Sequence, residues 1–78
     1  MKTVSILLPD VAAVKLFVTL VEQCDFDVDL IYGRYRINAK SMMGILSLGA
    51  GVVMEMEVHG SEEQTADLLK KVEMYLVK

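Results

Sequence analysis

The residues in this chain best placed to do chemistry lie in "NAKSMMG", residues 38–44, where a serine precedes two methionines at what reads as the start of a short helix. Ser41 is a favoured N-cap type, so its hydroxyl can accept a hydrogen bond from a free amide of the first turn. A phosphate added to that hydroxyl would meet the positive end of the helix dipole, an interaction of about 0.3–2 kcal/mol. Lys40 stands beside it as a counter-charge. In a helix of two turns, Met42, Met43 and Leu46 cannot all be buried along with Ile45 and Leu48, so some apolar surface is expected to face solvent. Flexible thioethers suit adaptable protein contacts, which makes Lys40, Met42, Met43 and Leu46 a candidate partner surface. The plainer alternative is a capping serine with methionines that fill the core.

Three other residues could act chemically. Asp10 precedes a helical stripe and is a good N-cap. A carboxylate there could form an acyl phosphate, but such sites use a divalent metal held by further acids, and its neighbours are Pro9, Val11 and Ala12. Helix capping is the better account. His59, the one histidine, falls at a strand end and reads as exposed, without catalytic duty. Cys24, the one cysteine, cannot form an intrachain disulfide and reads as a half-buried structural thiol in a reducing compartment. No spacing in the sequence marks a metal cluster, a nucleophile triad or a phosphate-cradling glycine loop, and no cofactor is implied.

The elements that hold these residues follow from periodicity. "KTVSILL" alternates as a strand until Pro9 interrupts it. Val14, Phe17, Val18 and Val21 then recur at three-and-four spacing, predicting a helix from Val11 to Glu22. In "DFDVDL" three aspartates alternate with Phe26, Val28 and Leu30, and Gly33 turns that strand back into "RYRIN" as an antiparallel hairpin. Arg34, Arg36 and the aspartates read as wet faces, paired across the strands. The second helix is expected over Met42–Leu48, closed by Gly49 in a left-handed conformation. A fourth strand is expected to begin at Gly51, with Val53, Glu55 and Glu57 on its wet face. Ser61 and Gln64 have capping-box spacing, and one final helix carries Leu68, Leu69, Val72, Tyr75 and Leu76 on one side, with Lys70, Lys71 and Lys78 toward its negative end.

The order strand, helix, strand, strand, helix, strand, helix calls for a two-layer α+β sandwich, in which helices cover one face of an alternating sheet. Seventy-eight residues make one domain, 1–78, because a chain this short buries only about 60–65% of its unfolded surface and cannot support two cores. With 54% hydrophobic residues and a net charge of −3, it reads as a compact soluble protein with no call for a nucleic-acid partner. The longest apolar run, Val11 to Val21, is interrupted by Lys15 and Thr19 and is too short to cross a bilayer, so no membrane insertion is expected. Met1 to Leu8 lacks the features of a secretory signal, and a cytoplasmic location is the default expectation.

The element order and "INAKSMMGILSLGAG", residues 37–51, resemble HPr, the small phosphocarrier of the bacterial sugar phosphotransferase system, over nearly the whole chain. That resemblance implies an open-faced sandwich with an antiparallel sheet in the order 1-4-2-3, three helices on one face, and a phosphate site at the start of the first helix. HPr proteins carry Gly-Leu-His-Ala-Arg-Pro there, the histidine accepting phosphate from Enzyme I. This chain reads "LPDVAA", residues 8–13, which puts Asp10 at the histidine position, Ala12 at the arginine position and Ala13 at the proline position. The resemblance therefore implies a family member without histidine phosphotransfer, not an enzyme, like the catabolite-repression HPr-like protein. It further implies Ser41 as the target of an HPr kinase/phosphorylase, with an Enzyme I-like protein or a transcriptional regulator as partner. The alternatives are a structural or assembly partner that uses the methionine patch regardless of phosphorylation, and residual phosphocarrier activity through Asp10.

Overall fold

The computed structural model describes residues 2–77. Four strands, β1 (Lys2–Leu7), β2 (Val28–Tyr32), β3 (Tyr35–Asn38) and β4 (Val53–Val58), form one sheet in the order β1-β4-β2-β3, and every neighbouring pair is antiparallel. Since β1 and β2 both run against β4, they are parallel to each other, and the chain between them must cross over. Helix α1 (Val11–Glu22) makes that crossing, α2 (Met42–Leu48) makes the equivalent one from β3 to β4, and α3 (Glu62–Lys71) follows β4. The result is the expected open-faced α+β sandwich with three helices. None of the described helices is long and apolar enough to cross a membrane.

The period-two pattern decides which face of the sheet is covered. Ile6, Val28, Leu30, Met54, Met56 and Val58 are buried and meet Val14, Phe17 and Val21 of α1, Ile45 of α2 and Leu68 of α3 in one core. Phe17 has no exposed surface and packs edge-on against Tyr75, with ring centroids 6.3 Å apart. The Ser61–Gln64 capping box forms with both reciprocal hydrogen bonds, so α3 begins where the sequence places it.

Four local expectations are corrected. Asp25 and Phe26 form a bend, and β2 begins only at Val28, which pairs with the last residue of β4; beyond it the ladder adds a single contact, the Asp27 carbonyl accepting the His59 N–H. Gly51 does not open β4. It adopts φ +84° in a turn and donates its N–H to the Leu8 carbonyl at 2.7 Å, a conformation outside the extended region, so the strand starts at Val53. Gly49 does close α2 at positive φ, +97°, although ψ of 142° makes it more extended than a left-handed helical residue. The final helix stops at Lys71; Val72 leaves helical geometry, Glu73–Tyr75 form a 3-10 turn, and Leu76 becomes extended to bridge Ile6. Val77 then donates to the Ser5 carbonyl, which covers the free edge of β1. Lys70 and Lys71 do occupy the last turn of α3, while Lys78 lies outside the described residues.

Candidate functional site

Two groups of chemically competent side chains emerge, at different places on the fold. The first comprises the two helix starts, Asp10 at α1 and Ser41 at α2, which the fold does not bring together: the start of α2 lies by the end of α1, where Lys40 meets the Cys24 carbonyl. Asp10 is extended (φ −153°, ψ 178°), and its Oδ1 accepts the Ala13 N–H at 2.8 Å while its carbonyl accepts from Val14. Its carboxylate thus serves as the N-cap that the sequence suggests. Ala12 is exposed and carries no group that could hold a phosphoryl oxygen. Val11 and Leu16 leave about half their surface in solvent on the same helix.

Ser41 caps α2 in the same manner, its Oγ accepting the Gly44 N–H at 3.1 Å. A Cβ on residue 44 would come within 3.1 Å of that oxygen, so glycine there leaves the hydroxyl its space. Of the apolar residues after it, Ile45 is buried, Met42 and Leu46 are half-buried, and Met43 is 79% exposed. The helix therefore divides its apolar side chains between core and solvent. Lys40 is not free to face Ser41 in this conformation: its Nζ donates to the Cys24 carbonyl at 2.8 Å, past the end of α1. Cys24 itself is half-buried, and burial raises its thiol pKa despite the opposing field of Lys71 and Lys40. The Gly51–Leu8 hydrogen bond ties the turn after α2 to the residues just before Asp10. Seven residues of α2, about 10 Å of helix, lie between that turn and Ser41.

The second group is on the open face of the sheet, which the helices leave uncovered. Asp29 of β2 lies directly opposite Glu57 of β4, and His59, two residues further on, shares the face of Glu57. The His59 Nε2 is 3.0 Å from Glu57 Oε1 and 3.3 Å from Asp29 Oδ2. Arg36 of β3 reaches the same two acids, with Nη1 2.7 Å from Glu57 Oε1 and 3.1 Å from Asp29 Oδ2. Glu57 was expected on a wet face; it is instead buried, because Arg36 and His59 close over it. The expected pairing across the strands does form, through Arg36 and Asp29. His59 is also a contact residue, not merely an exposed strand end, and six cross-strand pairs of β1 and β4 separate its end of the ladder from the end near Asp10. No sequence spacing revealed this group, since only Glu57 and His59 are close in the chain and Asp29 and Arg36 lie 21 to 30 positions before them. Only the β2–β3 and β2–β4 registers together could have shown it.

The Arg36 guanidinium, hydrogen-bonded to Glu57, holds that carboxyl below the ordinary glutamate range, against the opposite effect of partial burial. A lowered folded-state pKa adds stability above the unfolded value, and that stability is lost as pH falls through the folded value. The urea midpoint of Arg36→Gln is therefore expected below that of the unsubstituted protein at neutral pH, with the gap closing below about pH 4. A gap that persists unchanged into acid would remove Glu57 as its source.

A family model described as "PTS HPr component phosphorylation site" matches residues 11–77. Among solved structures, HPr-C-His from Thermoanaerobacter tengcongensis is 29% identical over 94% of this chain and 92% of its own, with a TM-score of 0.74. The phosphocarrier protein HPr from Bacillus anthracis is also 29% identical, over 97% and 94%, with a TM-score of 0.68. Crh of Bacillus subtilis, a catabolite-repression protein described as a domain-swapped dimer, is 23% identical over 94% and 88%, with a TM-score of 0.66, a likeness of fold.

Proposed function

The chain belongs to the HPr family of phosphotransferase-system proteins, and on that premise we propose that it acts without histidine phosphotransfer, as a regulatory or interaction protein centred on Ser41. A phosphocarrier of this kind needs a neutral imidazole nitrogen that attacks phosphorus and later leaves. The observation that carries the proposal is at the start of α1: Asp10 is engaged there as an N-cap, at the position that the resemblance to HPr aligns with the family's histidine. A cytoplasmic place of action belongs to the same reading.

Ser41 supports the positive half. Its Oγ already lies against a helix amide, so phosphorylation would replace one acceptor with three at the same end of the dipole. The fold need not change. The surface would, because up to two negative charges would appear beside Met42, the exposed Met43 and Leu46 on a chain of net charge −3. Lys40 can become a counter-charge only by leaving the Cys24 carbonyl. The partners of this reading are an HPr kinase/phosphorylase and an Enzyme I-like protein or transcriptional regulator.

The test is treatment with ATP and an HPr kinase, read by intact mass and site mapping. One phosphate is expected on Ser41 and none on Ser41→Ala. Modification of Ser41→Ala at the original rate would remove the serine from the proposal. A partner held equally by the phosphorylated and unphosphorylated forms would instead favour an assembly role for the methionine patch, which Met43 alone, with 79% of its surface exposed, keeps as the second reading.

A further inference from the structure

The cluster on the open face of the sheet is remote from Asp10 and unused by the function proposed above. Its donor atoms converge: one oxygen each of Asp29 and Glu57 and a ring nitrogen of His59 all lie within 4.8 Å of one another. Two ligand atoms bound 2.0–2.2 Å from one metal ion stand roughly 2.9–3.5 Å apart at octahedral to tetrahedral angles. The two His59 separations, 3.0 and 3.3 Å, fall inside that span. We propose that Asp29, Glu57 and His59 form a binding site for a divalent first-row transition-metal ion, best represented by zinc.

The backbone explains why the three donors are held together. Asp29 and Glu57 are register partners in the sheet, and the His59 N–H donates to the Asp27 carbonyl at 3.0 Å, extending the pairing beyond β4 and fixing the histidine backbone. Like charges directly opposite across a ladder repel, so the pair of acids requires a cation. Arg36 serves that purpose in this conformation, from a side chain that is 53% exposed and can swing into solvent. A metal ion would take its place at shorter range. One imidazole with two carboxylates is a donor set for zinc and its first-row neighbours, where calcium and magnesium would take oxygen alone. Three protein ligands would leave a coordination position to water.

Zinc titration of the tag-free full chain by calorimetry tests the site, with the His59 ring resonances followed by NMR and Cys24→Ser run in parallel to remove the thiol as a competing ligand. One saturable zinc per chain is expected in both proteins, with perturbed His59 ring signals. Affinity should fall about tenfold or more in His59→Asn and in Glu57→Gln. In Arg36→Gln, which removes the competing cation and keeps both acids, zinc should bind several-fold more tightly. Absence of saturable binding up to millimolar zinc overturns the proposal. So does binding that survives His59→Asn and Glu57→Gln, binding abolished by Cys24→Ser, or weaker binding in Arg36→Gln. Because that last variant predicts a gain, misfolding cannot imitate success.

Discussion

The Phe17→Ala variant is expected to lose about 3–5 kcal/mol of folding stability, the largest change any single truncation in this chain should produce. Phe17 is fully buried at the middle of α1 and makes an edge contact with Tyr75, so its removal takes away both the transfer term and the contacts that hold the C-terminal turn. A domain of this length has a total stability of about 4–12 kcal/mol, at roughly 0.05–0.15 kcal/mol per residue. The variant should therefore be close to unfolding at room temperature. Thermal unfolding should shift down by roughly 20–30 °C, given about 2.1 cal/mol/K of unfolding entropy per residue. A shift of only a few degrees would mean that Phe17 does not occupy the core position described.

That contact also marks a limit of the sequence. Phe17 announces itself through its spacing with Val14 and Val21, because a helix must lay such residues on one stripe. Tyr75 was expected on the same helix as Leu68, and it reaches the core by a different route, through a 3-10 turn after α3 has ended. Helical spacing over Leu68 to Leu76 cannot distinguish these routes. What ends the helix is tertiary: Leu76 and Val77 take up hydrogen-bonding positions beside β1, a strand some 70 residues earlier. The same holds for Gly51 and for Asp25 to Asp27, whose alternation or turn chemistry is overridden by where neighbouring strands begin and end.

The candidate sites were legible to different degrees for the same reason. Capping is local, so Asp10 and Ser41 could be assigned from the few residues that follow each, and both side chains make the expected amide contact. Lys40 was placed beside Ser41 because the two are adjacent in sequence, yet a long flexible side chain takes the best acceptor within reach, here the Cys24 carbonyl. The assembly of Asp29, Arg36, Glu57 and His59 depends on two strand registers at once. A shift of one residue in either register would turn one member to the opposite face. Periodicity places each strand's faces but not its register.

Incubation with phosphoenolpyruvate and Enzyme I is expected to leave the mass of this protein unchanged, a loss of about 10⁴-fold or more in phosphoryl acceptance relative to a histidine-bearing member of the family. Two groups that the resemblance to HPr places here, and for which this sequence has Asp10 and Ala12, underlie that magnitude. Asp10 Oδ1 is committed to the Ala13 amide, and attack by this carboxylate would form a mixed anhydride while removing the charged cap that begins α1. Ala12 has no cation to steady the transferred oxygens, and the acids that do converge on this fold lie at the far end of the β1–β4 ladder. Replacing Asp10→His together with Ala12→Arg should restore a measurable acid-labile phosphohistidine, because the exposed start of α1 still supplies the amides that stabilise a phosphoryl group. Acid-labile phosphate on the unsubstituted chain would defeat the reading. Restoration without the arginine would show that helix amides alone suffice, assigning the loss to the nucleophile at position 10.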